Sequence, residues 1–356
     1  MQKGDHTRGF RDRDFIQTKE GFFFCVVGPY HPADRVFAYV KYVPAKTGKW
    51  RDERTSYERV MRAYTIPDLL ETFKLLKTKY QHYLFRSGIY DVTMTAVPHD
   101  FIQEHYKPEE KLAQILNTTE RDSLQTKLVN FVSLISEKCG VALNNFGVTG
   151  SILLDIHNPK FSDMDVTVYG LQNSLRVRQA LIKAYSDPDS KVERFRHAVL
   201  QDWCTKKVKH FPLDLEDAER IYERKWNLGI FDGVMFSVHP THLEEELAER
   251  YGDKTFRPKG QVKLQATVAD CSESLFLPCV YKVDDVKIVN GGGVDVEIQE
   301  VASYESLYDG LAEIGEQILV KGKLEQVCDC RNGTEYYRVL VGSPEGKGEE
   351  YIKPVN

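Results

Sequence analysis

The sequence lacks the features that mark membrane, secreted and generally basic proteins. No apolar run approaches the length of a membrane span, and the first residues contain no signal-peptide core. The seven cysteines are odd in number and irregularly spaced, which favours a reducing compartment over a disulfide framework. The net charge of −5 gives no global basic field for nucleic acid. These absences predict a soluble, cytoplasmic protein without a membrane partner.

Two common ligand motifs are also incomplete. Cys328 and Cys330 lack the two-residue gap and the second pair of a zinc knuckle, and the glycine triplet at 291–293 lacks the Lys-Ser/Thr of a P-loop. What the chain does have is length: 356 residues, 42% of them hydrophobic, can bury a substantial core and predict two or three domains.

One stretch of the sequence contains residues that are suited to binding a metal ion and phosphate. An apolar strand predicted at 141–148 runs into Gly150-Ser151, a short helix follows, and a second strand begins with Asp163-Met164-Asp165. Strand alternation sends Asp163 and Asp165 to the same face. Two such close carboxylates repel unless a cation lies between them, and they suit Mg²⁺. The Gly-Ser turn adds backbone N–H groups and a helix N-terminus, which favour a phosphate.

This pattern resembles the signature of the DNA polymerase β-like nucleotidyltransferase superfamily over roughly residues 110–245, and the whole chain resembles proteins described only as predicted nucleotidyltransferases. The resemblance implies a helix, a strand, the Gly-Ser turn, a short helix and the Asp-x-Asp strand in that order. It implies that Asp163 and Asp165 bind Mg²⁺ and that Gly150 and Ser151 bind the phosphates of a nucleoside triphosphate (NTP). Alternatively, the two aspartates are charges that protect an exposed strand edge.

The superfamily places a third carboxylate on a later strand of the same sheet, and the predicted strand at 233–239 has none at its centre. Asp232 lies just before that strand, and His239 could take up a proton because an imidazole titrates near neutrality. Neither residue matches the family pattern, so transfer chemistry could be altered or absent.

Basic residues outnumber acidic ones between 176 and 209, with Trp203 close to the densest group. Lysines neutralise phosphates and aromatic rings stack on bases, so this stretch favours RNA or the leaving pyrophosphate as its ligand. The alternative is an ordinary solvated helix face. The three candidate lysines of the group are Lys206, Lys207 and Lys209.

The flanking regions predict separate folds. Residues 1–107 are predicted to form a small N-terminal α/β domain, α+β in content. Its predicted elements are a hairpin at 21–43, helices at 56–64 and 67–83, and a linker from 90. Residues 108–255 form the nucleotidyltransferase domain. In 256–356, three strands, a helix at 304–314 and two strands joined at Asn332-Gly333 have the element order of an OB-like β-barrel. The candidate oligonucleotide-binding residues of that barrel are Tyr281, Lys282, Lys321, Lys323, Tyr336, Tyr337 and Arg338. The alternative is a structural β-barrel that packs on the catalytic domain.

The sequence therefore predicts an α+β multidomain protein with a polymerase β-like core. The leading hypothesis is a Mg²⁺-dependent nucleotidyltransferase that moves a nucleoside monophosphate from an NTP to an acceptor, RNA in the first instance. A second hypothesis is a catalytically inactive protein of this fold that binds nucleotide or RNA. A third is a transferase that nucleotidylates another protein.

Overall fold

The computed structural model describes residues 8–61, 63, 65–290 and 296–355. It is a mixed α+β structure with three β-sheets that follow one another along the chain. The predicted glycine-rich loop at 291–293 lies outside the described residues. Within them, no helix combines the length and the apolar character that a membrane crossing requires.

The N-terminal sheet has eight strands in the order β4-β5-β3-β2-β1-β8, and β7 pairs with both β3 and β6. One helix, α1, begins at a Thr65 cap whose side chain accepts from the Asp68 backbone N–H. The elements are β1 (Phe15–Thr18), β2 (Phe23–Val26), β3 (Arg35–Ala45), β4 (Trp50–Arg51), β5 (Ser56–Arg59), α1 (Ile66–Lys79), β6 (Leu84–Ser87), β7 (Val92–Pro98) and β8 (Ile102–Tyr106).

Two predictions for this region are wrong. The segment predicted as a helix from 56 contains strand β5, because Tyr57 is buried and its ring centroid lies 5.0 Å from that of Phe23 in the sheet core. The segment predicted as a linker contains β7 and β8, which pair with β3 and β1 respectively. In both cases pairing with distant strands outweighs weak local periodicity.

The middle sheet has five strands in the order β11-β12-β13-β10-β9. Strands β10 and β13 run parallel, with Asp165 opposite Ser237. The elements are α2 (Pro108–Asn117), α3 (Ser123–Cys139), β9 (Phe146–Val148), α4 (Gly150–Leu153), β10 (Met164–Tyr169), α5 (Leu171–Ser186), β11 (Val192–Glu193), α6 (His197–His210), α7 (Leu215–Arg224), β12 (Leu228–Phe231) and β13 (Val234–Thr241).

The helix predicted before the Gly-Ser turn is confirmed as α3. Gly140 ends it in the left-handed conformation, with φ of +67°. Asp214 caps α7, since its side chain accepts from the Asp217 backbone N–H. The buried side of α3 carries Leu124, Leu128, Phe131, Val132 and Ile135.

The C-terminal sheet has six strands in the order β14-β15-β16-β18-β17-β19, with a further pairing between β14 and β17. The pair β16 and β18 is parallel. The elements are β14 (Lys254–Asp270), β15 (Cys279–Asn290), β16 (Ile298–Ser303), β17 (Gln317–Asp329), β18 (Thr334–Val341) and β19 (Tyr351–Val355). Short 3-10 helices lie at Gln81–Tyr83, His99–Phe101, Leu143–Asn145, Glu244–Glu246, Ser272–Leu275 and Pro344–Gly346.

The helix predicted at 304–314 is wrong, because this segment forms turns that pack on the C-terminal core. The buried hydroxyl of Tyr281 replaces helical hydrogen bonds there: it donates to the Tyr308 carbonyl over 2.6 Å and accepts from the Leu311 N–H over 2.7 Å. A side chain from a distant strand thus satisfies the backbone of the segment.

Candidate active site

The Gly-Ser turn lies directly against the second carboxylate. The Thr149 N–H donates to the Asp165 carbonyl over 2.9 Å, and its hydroxyl donates to the Arg13 carbonyl over 2.7 Å. Gly150 follows with φ of +70°, and a Cβ there would lie 2.5 Å from Asp165 Oδ2. Only glycine allows the turn to approach the carboxylate this closely.

We therefore expect Gly150→Ala to destabilise the protein by about 1–3 kcal/mol, since it introduces both a left-handed strain and a clash with Asp165. Urea denaturation would measure the change. Gly88→Ala is the matched control, because a Cβ at Gly88 meets no atom within 4 Å. Equal losses in the two variants would contradict the close approach.

Asp163 and Asp165 line the same cavity, as strand alternation predicts. The charge of Asp165, together with partial desolvation by the cavity walls, raises the pKa of Asp163 to about 6. Burial also acts to raise the pKa of Asp165, but contacts with His239 and Ser237 and the charge of Lys41 outweigh it, so this pKa lies well below its ordinary value. The pair therefore holds excess negative charge that a cation would relieve.

This repulsion predicts that Asp163→Asn stabilises the ligand-free protein. A carboxyl whose pKa is raised on folding contributes stability that is lost as pH rises through the folded value. Wild type should thus lose stability between about pH 4 and 6 relative to the variant. Because Asp163 is exposed to solvent in the cavity, the gain should be only about 1 kcal/mol above pH 6. Thermal unfolding across this pH range would measure it, and a variant less stable than wild type at pH 7 would contradict it.

Ser237 and His239 occupy the strand next to Asp165. The Ser237 hydroxyl donates to Asp165 Oδ1, and His239 Nε2 lies 2.8 Å from that hydroxyl oxygen. Since the serine proton is used on the ionised carboxylate, Nε2 must donate, which places the imidazole proton on Nε2. Burial and the charge of Arg13 lower the pKa of His239 and keep the ring neutral. The chain of donors orients Asp165.

Basic residues from the N-terminal part of the chain face the carboxylates. Arg13, Lys41 and Arg59 line the cavity, and Lys41 and Arg59 both act to lower the pKa of Asp163. Lys41 is buried in β3, with Nζ 5.3 Å from the Phe15 ring centroid. Sequence reasoning missed all three. The available signal was a lysine inside the apolar run 37–43, where a buried charge needs a partner.

The cavity has a volume of about 360 Å³ and lies between the three sheets. Glu305, Glu325 and Arg338, from the part of the chain that forms the C-terminal sheet, line it together with the residues above. The site is thus formed by all three parts of the chain, although the sequence predicts it within the middle one alone.

Two further candidates lie outside the cavity lining, although Ser151 directly follows Gly150 in the turn. Ser151 is buried, with its hydroxyl 3.4 Å from that of Ser162. Asp232 lies in the turn between β12 and β13, where its carbonyl accepts from Lys127 over 2.7 Å. Neither of these two residues lines the cavity.

The predicted basic group lies on α6, and its members do not line the cavity either. Lys206 pairs with Asp202 at 2.6 Å, and Lys207 Nζ lies 5.3 Å from the Trp203 ring centroid. Lys209 is exposed. The group is mostly an ordinary helix face that packs its aromatic side toward the C-terminal domain.

The predicted oligonucleotide face of the C-terminal domain is wrong for its central members. Tyr281 is fully buried in the core, and Lys323 and Arg338 are buried as well. Glu325 holds both cations, with 2.9 Å to Lys323 Nζ and 2.9 Å to Arg338 Nη2. Charges neutralised in this way cannot follow a phosphate backbone on the surface.

Within the described residues, no group of three or more His, Cys, Asp or Glu side chains is arranged to hold a metal ion. The Asp163–Asp165 pair alone would suit Mg²⁺, which commonly takes one or two carboxylates and completes its coordination with substrate phosphates and water.

Comparisons with known proteins give one informative match. No family model matches the chain, and no solved structure does. The chain is 32% identical to the "Uncharacterized protein MJ1086" of Methanocaldococcus jannaschii over 345 residues, which cover 96% of this chain and 98% of that protein. An identity of this level over nearly the full length of both proteins reflects a common fold, and the chain belongs to the same family as MJ1086.

Proposed function

We propose that the protein is a Mg²⁺-dependent nucleotidyltransferase that transfers a nucleoside monophosphate from an NTP to an acceptor. The observation that carries the proposal is the pair Asp163 and Asp165 on one face of a cavity whose opposite wall holds Lys41 and Arg59. Paired carboxylates suit the metal and the cations suit the phosphates, which together are the requirements of phosphoryl-group chemistry.

In this proposal the Asp163 and Asp165 carboxylates hold Mg²⁺, which when bound supplies positive charge to the triphosphate and acidifies the attacking hydroxyl. Lys41 and Arg59 bind phosphate oxygens. Because Gly150 has no Cβ, the Asp165 carboxylate has room beside the turn. Ser237 and His239 hold that carboxylate in one orientation through their hydrogen bonds.

We further infer that the middle domain has a polymerase β-like core and that the C-terminal domain is an OB-like barrel. The order of elements around Gly150 and Asp165 supports the first inference. The pairing of β14 with both β15 and β17, together with the parallel pair β16–β18, supports the second, since these pairings form a ring.

The second candidate is an inactive nucleotide-binding protein of the same fold. Ser237 stands opposite Asp165 on the parallel strand, where a third carboxylate would complete a transferase site. His239, the next residue on that face, is a neutral donor to Ser237 and not an acid. With Ser237 and a neutral His239 in place of a carboxylate, the attacking hydroxyl has no evident protein base.

One assay separates the candidates. The protein is incubated with Mg²⁺, each α-labelled NTP, and RNA, protein or small-molecule fractions of a cell extract, in parallel with Asp163→Asn. Label incorporated only by wild type supports transfer, and its carrier identifies the acceptor; label on protein would mean nucleotidylation. NTP binding by both proteins without any incorporation would support the inactive candidate.

Lys41→Met should weaken NTP binding roughly tenfold, because it removes one charge-assisted contact to phosphate. The change is expected in the Kd for a non-hydrolysable NTP analogue, measured by calorimetry in the presence of Mg²⁺. Lys160→Met, at an exposed lysine in the loop before Asp163, is the control. An unchanged Kd for the Lys41 variant would remove the N-terminal domain from the proposed site.

A further inference from the structure

The cavity extends from the carboxylates to a buried acid of the C-terminal domain. Glu305 lines the cavity, is 9% exposed, and lies just after the end of β16. Among the described residues its carboxyl has no hydrogen-bond partner, although its own backbone N–H donates to the Ser303 hydroxyl oxygen over 3.0 Å. Because its carboxyl lines the cavity without a protein partner among these residues, it is available to a ligand oxygen there.

We propose that the acceptor of the transferred nucleotide is a small molecule enclosed in this cavity, with an oxygen hydrogen-bonded to Glu305, and not RNA. This inference rests on the proposed transfer function and identifies its substrate class.

The walls of the cavity have the chemistry of a small-molecule site. A volume of about 360 Å³ lies within the range of roughly 300–1,000 Å³ common for such pockets, which are mostly apolar with a few polar groups. The apolar lining comes mainly from the N-terminal domain. Its members include Val27, Phe37, Met61, Ile66, Leu69 and Leu340.

The charge distribution argues against a polynucleotide. A bound strand needs a continuous track of cations for its phosphates. Away from Asp163 and Asp165, the cations that line the cavity are Lys323 and Arg338. Glu325 lies in the same wall and neutralises both. The lysines of α6 lie off the cavity.

Glu305 is placed to donate a hydrogen bond. Gly342 leaves room for its side chain, since a Cβ at 342 would lie 2.9 Å from Glu305 Cγ. Burial and the charge of Glu350 raise the pKa of Glu305 to about 8, although the charge of Lys207 acts to lower it. The carboxyl is therefore mostly protonated at pH 7, and its O–H can donate to a hydroxyl, ether or carbonyl oxygen.

The transfer balances without any further reactant. A hydroxyl oxygen of the small molecule forms a bond to the α-phosphorus of the NTP. The bond between that phosphorus and the oxygen bridging to the β-phosphate breaks, and its electron pair leaves with pyrophosphate. The hydroxyl proton passes to solvent water.

The first test identifies the carrier of the label. Full-length protein, Mg²⁺ and α-labelled NTP are incubated with total RNA or with a cell-extract filtrate freed of RNA and protein. We expect a labelled product from the filtrate, with the mass of the acceptor plus a nucleotide, and none with Asp163→Asn. Label on RNA or protein alone would overturn this inference and leave the transfer function standing. Absence of any labelled product would overturn the transfer function, and this inference with it.

The second test uses two Glu305 variants whose folding is checked by thermal unfolding. Glu305→Gln keeps a donor, whereas Glu305→Leu removes it. The Leu variant should need roughly tenfold more filtrate for half-maximal labelling and the Gln variant no more than about threefold, with the KM for NTP unchanged in both. Equal filtrate requirements in all three proteins, or equal losses in the two variants, would overturn the assignment.

Discussion

Replacing Asp165 with asparagine is expected to lower kcat/KM for nucleotide transfer by at least about 10³-fold. A metal that stabilises transition-state charge contributes several kcal/mol, and each 1.36 kcal/mol corresponds to about tenfold in rate. The asparagine would keep the size of the side chain and could still accept from Ser237, but it would remove the negative charge. The measurement is label incorporation at saturating Mg²⁺.

Asp189→Asn is the matched control, because Asp189 is exposed in the loop between α5 and β11. That variant should keep its rate within about twofold, as surface substitutions away from special features have small effects. A loss below tenfold in the Asp165 variant would contradict a role for this carboxylate in the reaction. The asparagine oxygen can still accept from Ser237, so we expect the variant to fold. A large loss of kcat/KM would then reflect the missing negative charge.

The local geometry of the candidate site could be predicted from the sequence because it depends on neighbours in the chain. Strand alternation alone places Asp163 and Asp165 on one face, and a glycine before a short helix allows the tight approach of Gly150. These relations span fewer than about 20 residues and need no knowledge of the tertiary fold.

The opposite wall of the site could not be predicted this way. Lys41 and Arg59 reach the carboxylates only because the N-terminal sheet packs against the middle sheet, and no local pattern encodes that contact. The same limit explains Tyr281, whose aromatic, basic neighbourhood resembled a binding face while its hydroxyl in fact holds the 304–312 turns. Residue type predicts which groups could bind a ligand, but burial decides which of them are available.

The hydrogen bond between Ser237 and Asp165 has two opposite effects on a metal site. The donor chain from His239 through Ser237 fixes one carboxylate oxygen, which favours a defined metal geometry. It also occupies one lone pair of that oxygen, which leaves the second Asp165 oxygen and Asp163 as the less engaged metal ligands. Ser237→Ala would therefore release a ligand and disorder it at the same time.

The largest effect on stability is expected from Lys225→Met, which should lower the free energy of unfolding by about 3–5 kcal/mol. Lys225 is 2% exposed. It lies between α7 and β12 and connects this part of the chain to the segment that carries Glu305. Its Nζ donates to the Ser306 and Asp309 carbonyls, each over 2.9 Å, and to the Asp309 carboxylate. Methionine fills the same volume but leaves a buried carboxylate without its cation. Urea denaturation would measure the loss.

The double variant Lys225→Met/Asp309→Leu tests the cause, because it removes the unpaired charge together with its partner. We expect it to recover a large part of the loss, since replacing both members of a buried pair by apolar groups is often close to neutral. Lys206→Met, which breaks the exposed pair with Asp202, should cost no more than about 1 kcal/mol. If the double variant were as unstable as Lys225→Met, lost packing and the two carbonyls, not the carboxylate, would account for the effect. Recovery would instead show that charge pairing holds the C-terminal wall of the cavity against the middle domain.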